Sequence, residues 1–283
     1  MRIYYNSKLK QLETNHEGFA EITQIMNTVR QYSFTKVVFD LANTQTIDGS
    51  MASVCAAMSY YLSKSNNSLS IQTKNDNRLP LFYKYDLLGS QVNWGIFLKF
   101  RFWNGGTAVR GFTREEYFRF NHYLITEAFD NQWWDISVEM KQNIKRHLRR
   151  LFKNASEHCE ENTPIFISSS FKDRMLKFTL VDCGPGFYKN IAAKDVQVVN
   201  EQQAIMWALE GRSSKNRPGG KLRSLRKFCN YNLGNLLIAS GYATVGISEE
   251  GEMSFGELVA PFRGSIISFS VYVPRPNLIE IAA

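Results

Sequence analysis

The chain contains no uninterrupted apolar run of roughly 18 residues or more, so no helix is expected to span a membrane. Its opening stretch, "MRIYYNSKLK", lacks the apolar core and small-residue cleavage site of a secretory signal, which makes a cytoplasmic location the expectation. Cysteine is sparse. Cys55, Cys159, Cys183 and Cys229 lie far apart and form no C-x-x-C pair, so they indicate neither a disulfide frame nor a zinc site. They are expected to be reduced and mostly buried. No internal repeat or low-complexity tract is visible. There is also no G-x-x-x-x-G-K-[ST] run, so any triphosphate site must be built without that loop.

What is present is ordinary globular composition, 44% hydrophobic and 13% aromatic, over 283 residues, comfortable for two domains. The formal net charge is +8, which favours polyanionic partners: nucleic acid, an acidic protein or phosphates. Lys141, Lys145, Arg146, Arg149, Arg150 and Lys153 form one basic cluster. Arg212, Lys215, Arg217, Lys221, Arg223, Arg226 and Lys227 form a second. Two readings stand for these clusters, solvated helix faces or phosphate attraction.

Strand and helix signals alternate over residues 1 to about 90. "RIYY" is a short apolar run, and Glu17–Arg30 carries Phe19, Ile22, Ile25, Met26 and Val29 at helical spacing. "KVVFDL" is a buried-type strand, Met51–Leu62 a helix, "LSIQT" a strand and Leu79–Leu88 a helix. That order predicts an α/β layer with parallel strands. The aromatic, glycine-punctuated segment 91–112 is expected to hold a hairpin at a domain junction. Helices are expected at Arg114–Asp130 and from Asp135 to about Glu160. The second carries an apolar stripe through Ile144, Leu148, Leu151, Phe152 and Ala155. "PIFISSSF" and "MLKFTLVD" are expected to pair as adjacent strands about "KDR". Glu201–Leu209 and Leu222–Tyr231 are predicted helices, with "EGRSSKNRPGG" between them as a mobile loop. "NLLIAS", "YATVGIS" and "SIISFSVYVP" are predicted strands.

One constellation carries chemistry. Asn154 lies in "LFKNASEHC" on a predicted helix, and Asp182, Gly184 and Gly186 lie in "LVDCGPGF" at a predicted strand end. An amide oxygen can anchor magnesium, which takes few protein oxygens beside phosphates and water. A carboxylate at a buried strand end can accept from the exocyclic amine of adenine, and glycines admit close backbone approach. Gly219 and Gly220, closing a basic loop before a helix, offer backbone N–H groups to phosphates. Taken alone, Asp-Cys-Gly-Pro-Gly is an ordinary strand-to-loop turn.

With Gly264 and Ser265 at a late strand, these landmarks make residues from about 135 to 275 resemble the GHKL superfamily of ATP-binding domains. That family is named for gyrase, the heat-shock chaperone, histidine kinases and the MutL repair protein. The resemblance implies a GHKL α/β two-layer sandwich over residues 106–283 that binds ATP and Mg2+. Asn154, His158, Asp182, Gly184, Gly186, Gly219, Gly220 and Ser265 would be ATP-binding residues, with Asn154 the magnesium anchor through the phosphates. A lone helical histidine such as His158 has a purely structural reading as well. Where the family carries an acidic general base, four positions before the Asn, this chain has Arg150, and a guanidinium cannot accept a proton. Glu157, one helical turn after Asn154, is the substitute candidate. The family's G-G-x-G-L is here Gly219-Gly220-Lys221-Leu222-Arg223. The resemblance therefore implies binding more strongly than turnover.

Residues 1–105 resemble, through "KVVFDLANTQTIDGSMASVCAAM", the STAS domain of anti-sigma-factor antagonists. Ser50 falls at the position that GHKL-type partner kinases phosphorylate in some antagonists, which makes it a candidate phosphoacceptor. It is equally suited to be the N-cap of the following helix. The pairing implies a partner-switching arrangement within one chain. Three functions remain open: a regulatory ATP-binding protein acting on protein partners, a serine kinase or slow ATPase, and a nucleic-acid-binding protein. No helix-turn-helix or RNA-binding motif supports the last. A histidine kinase is not expected, because no dimerisation helix with an acceptor His precedes Asn154; His122 and His147 lack an adjacent acidic partner.

Overall fold

The computed structural model describes residues 1–72, 107–129, 136–195, 197–212 and 220–274. The expected helix at 79–88, most of segment 91–112, the boundary near 105 and residues 213–219 of the expected loop 210–220 lie outside the described residues.

The first 72 residues run β1 (Arg2–Asn6), β2 (Gln11–Leu12), α1 (His16–Val29), β3 (Lys36–Asp40), β4 (Thr46–Ile47), α2 (Met51–Ser63) and β5 (Ser68–Gln72). β1, β3 and β5 pair in parallel in that order, with Tyr4, Val38 and Ser70 in register. In a parallel sheet laid down in sequence order, right-handed crossovers place both connecting helices on one face. α1 and α2 share one apolar cluster with Val37 and Phe39 of β3 and Leu69 of β5. The start of α1 is fixed by Asn15, whose Oδ1 accepts from Gly18 N at 2.8 Å. Its periodic residues Phe19, Ile22, Ile25 and Val29 are all buried.

The later elements are β6 (Thr107–Phe112), α3 (Tyr117–Thr126), α4 (Val138–His158), β7 (Ile165–Lys172), β8 (Met175–Asp182), α5 (Gly186–Ala192), α6 (Glu201–Leu209), α7 (Lys221–Tyr231), β9 (Leu236–Ile247) and β10 (Met253–Tyr272). The strands form an antiparallel sheet in the order β6-β7-β8-β10-β9. β7 and β8 turn through Asp173 and Arg174, with φ of 50° and 67°. Positive φ at two successive residues gives the tight turn whose twist matches the flanking strands.

Period-two alternation gives this sheet two buried faces. Leu176, Phe178 and Leu180 of β8 and Ile267, Phe269 and Val271 of β10 pack under Leu148, Leu151 and Phe152 of α4. On the opposite face Phe166, Val181, Ala239 and Ile266 join Phe19 and Ile22 of α1 and Val54 and Met58 of α2 in one cluster. The order of layers is the parallel sheet, α1 with α2, the antiparallel sheet, then the later helices. The fold is mixed α/β, and the four cysteines are unpaired and buried.

Several elements depart from their expected bounds. α3 is shorter than Arg114–Asp130. "NLLIAS" and "YATVGIS" form one strand, β9, because Gly241 at φ 57° carries the backbone through a bend without ending the pairing. β10 begins at Met253, well before Ser265, and absorbs register shifts between Glu257 and Ser265. α5 has no counterpart among the expected elements; it opens inside the glycine motif, at Gly186.

Candidate functional site

Asp182 is the last residue of β8, in phase with Leu176, Phe178 and Leu180, and is only 7% exposed. Ser265 stands directly opposite on β10, and its hydroxyl donates to Asp182 Oδ2. Gly184 N donates to Asp182 Oδ1 at 3.0 Å, and Cys159 Sγ at the end of α4 lies 3.8 Å from the same oxygen. Burial pushes the Asp182 carboxyl up from its ordinary range, against the opposing pull of these donors, Ser265 first. A carboxylate offers about four lone-pair sites, and the Ser265 hydroxyl and amide, the Gly184 amide and the Cys159 thiol all draw on them.

Two glycines hold the turns around this carboxylate. Gly186 has φ 79°, and a Cβ there would lie 2.6 Å from Ser240 Oγ. Gly264 has φ 111°, and its Cβ would lie 2.0 Å from the Asp182 carbonyl oxygen. Ser240 ties the two together, accepting from Phe187 N at 3.0 Å and donating to Gly264 O at 2.9 Å. Gly184 is closely packed beside Asp182: a Cβ would lie 3.0 Å from Oδ1 and 3.1 Å from Cys159 Sγ. Ser240 escapes a reading of the sequence, since nothing local marks a serine that works on turns 53 and 24 residues away.

The last turns of α4 complete the site. Asn154 is half-buried, and among the described residues nothing hydrogen-bonds its side-chain amide. His158 is half-buried one turn later. Glu157 Oε2 lies 3.3 Å from Lys221 Nζ, in the first turn of α7, next to Gly220 at φ 102°. That ion pair is also invisible in the sequence. It brings the N-terminus of α7, which has no side-chain cap among the described residues, beside the last turns of α4. Arg150 Nη1 donates to Ser224 Oγ at 3.2 Å. Where the resemblance expects a general base there is thus a guanidinium resting on a hydroxyl, and Glu157 is engaged with a lysine.

Among the described residues no three His, Cys, Asp or Glu side chains cluster to hold a metal unaided. A magnesium ion at Asn154 would need oxygens from a ligand, as a phosphate-borne ion has. Asp182, Gly184 and Ser265 meet Cys159 at the end of α4, the Gly186 and Gly264 turns are joined through Ser240, and Glu157 meets Lys221 next to Gly220; Asn154 and His158 lie on the last turns of α4, and Gly219 lies outside the described residues.

Ser50 is elsewhere, on the opposite face of the antiparallel sheet. It is 0% exposed, with its hydroxyl 3.1 Å from Thr14 Oγ1, and its carbonyl accepts from Ser168 Oγ at 2.9 Å. Ser50 occupies the N-cap position of α2 without a capping side-chain hydrogen bond, because its backbone is already helical at φ −71° and ψ −15°. Asp48 Oδ1 accepts from Ser50 N at 3.0 Å and from Ser170 Oγ at 2.6 Å, while Oδ2 meets Lys177 Nζ at 2.6 Å. Burial alone would raise the Asp48 carboxyl, but Lys177 and the hydrogen bonds outweigh it and hold it well below the usual carboxylate range. In this packing a kinase has no path to the Ser50 hydroxyl.

No known protein-family model matches the chain, and no curated protein matches it.

Proposed function

We propose that the chain is an ATP-binding regulatory protein of the GHKL type, in which nucleotide controls protein–protein contacts in a partner-switching manner. The observation that carries this reading is Asp182: a buried carboxylate held at a strand end by Ser265 and Gly184, between two glycine turns and next to the end of a helix whose Asn154 amide has no partner among the described residues. In this reading Asp182 accepts from the adenine amine, which selects adenine over guanine. Gly184 and Gly186 shape the turn beside the base, and Ser265 orients the carboxylate. Asn154 would give one oxygen to a magnesium ion carried by the phosphates. The N-terminus of α7 at Gly220, with Gly219 before it, faces the phosphate charge, and His158 lies within the same turn.

The regulatory part rests on β8. Its last residue, Asp182, belongs to the site, and its Lys177, about 17 Å up the strand at 3.3 Å per residue, reaches the Asp48–Ser50 turn of the STAS-like half. One strand thus touches both the nucleotide site and the segment that would sense it. The Glu157–Lys221 pair and the sealed Ser50 hydroxyl weigh against the kinase and ATPase readings.

The test is calorimetric titration of magnesium-ATP into wild type and Asp182→Asn, with phosphate release followed on the same samples. Binding to wild type that is lost in the variant, without release, supports the proposal. Steady release would move the reading to an enzyme with Glu157 as base, and absence of binding would discard the nucleotide site.

A further inference from the structure

The two basic clusters, separate in sequence, meet in the fold. α4 and α7 pack antiparallel: Glu157 meets Lys221, Arg150 meets Ser224, and His147 stacks on Phe228 with ring centroids 4.7 Å apart. With Leu148, Leu151 and Phe152 of α4 and Leu222, Leu225 and Cys229 of α7 turned to the core, 100° per residue directs another set outward. On α4 that set is Arg146, Arg150 and Lys153, and on α7 it is Arg223, Lys227 and Tyr231. The five cations are exposed, and Tyr231 is 88% exposed. Among the described residues none of the five has a carboxylate partner; Arg146 rests on Asn143 and Arg150 on Ser224. The α4 row covers about 10 Å and the α7 row about 12 Å at 1.5 Å per residue, running from the Asn154 end away from the nucleotide site.

We propose that this α4–α7 face binds single-stranded nucleic acid, Arg146, Lys153, Arg223 and Lys227 contacting backbone phosphates and Tyr231 stacking on a base. The proposal is independent of whether ATP binds at Asp182. A solvated face of α-helical surface normally mixes both signs of charge, and mixed charge relieves the repulsion that these cations impose on one another. Here the repulsion is left standing, as a surface built for an outside polyanion requires. An exposed aromatic one helical turn beyond Lys227 distinguishes a base-bearing strand from a plain acidic peptide, since every base presents a π-face. A duplex would hide those faces.

The test is fluorescence anisotropy of the full chain with a labelled oligothymidylate of about 20 nucleotides, without ATP, across a salt series. The expected result is binding at low salt whose logarithmic salt slope falls by about 1.4 in Arg146→Gln/Lys227→Gln, at about 0.7 for each phosphate no longer neutralised. Tyr231→Ala should weaken binding by about tenfold, within the range for one stacked base. Circular dichroism melts establish that both variants stay folded; neither changes a buried residue. Three outcomes would overturn the proposal: no binding at low salt, binding indifferent to Tyr231→Ala, or polyglutamate competing as well as unlabelled oligonucleotide. The last outcome would assign the face to an acidic protein instead.

Discussion

Asp48 Oδ2 and Lys177 Nζ lie 2.6 Å apart across the join between the α2 turn and the antiparallel sheet. Thr14, Ser170 and the Ser50 amide complete the carboxylate's hydrogen bonds. The pair is therefore a well-served, partly buried ion pair rather than an open surface bridge, and losing one member leaves the other without its partner. Asp48→Ala should cost about 3 kcal/mol in urea unfolding. Asp48→Ala/Lys177→Met should recover part of that loss, as a coupled pair does.

The same pair shapes acid stability. Asp48 has a depressed folded pKa, so its contribution is present above the ordinary carboxyl value near 4 and is lost as pH falls through lower values. Wild type should lose stability below about pH 4 along a slope that Asp48→Asn reduces, read by thermal melts at stepped pH.

His147 titrates in the other direction. Burial, with Arg150 and Arg146 nearby, holds its folded pKa down at about 4. The unfolded chain therefore binds the proton first, and stability falls as pH drops from about 6.5 to about 4. His147→Phe, which keeps an aromatic face against Phe228, should flatten that limb while leaving stability at pH 8 within about 1 kcal/mol.

Asp182 carries a folded pKa raised by burial, so the ionised form is the one penalised and stability is lost as pH rises above the ordinary carboxyl range. Asp182→Asn should abolish that loss, melting no lower than wild type at pH 7, while weakening magnesium-ATP at least about tenfold. A structural carboxylate would show the stability change without the binding change.

Gly264→Ala puts a methyl group 2.0 Å from the Asp182 carbonyl oxygen in a backbone conformation that alanine disfavours. It should cost about 2 kcal/mol or more, with displacement of the Ser265 hydroxyl from Asp182. The Ser265 amide shift in an NMR spectrum would report that displacement.

Much of the fold is legible in the sequence because most elements obey one period and one punctuation rule. α1 has its stripe and its Asn15 cap, and the β7–β8 hairpin has its turn at "KDR". β9 reads as two strands because Gly241 looks like a break in one dimension and is only a bend in three. β10 reads short because "MSFGELVAPFRG" contains Gly256 and Pro261, which suggest a loop, yet its backbone pairs with β9 through irregular register. The landmarks near Asp182 are readable because glycines and a carboxylate are distinctive at short spacing. Ser240, Lys221 and the Asp48–Lys177 pair are not, because each is an ordinary residue whose role comes from a partner 24 to 129 residues distant.

α2 has neighbours on all sides: from Met51 to Leu62 only Ser59 and Tyr61 escape full burial. A helix so enclosed is mortar between two masonry courses. A protease nick between the two sheets would not release separate working parts, because whichever fragment lost the helix would show a bare apolar wall to water and clump. Nor could either half be lent to another protein by recombination without a replacement filling. The two sheets are consequently bound into one folding unit by a helix that neither can spare.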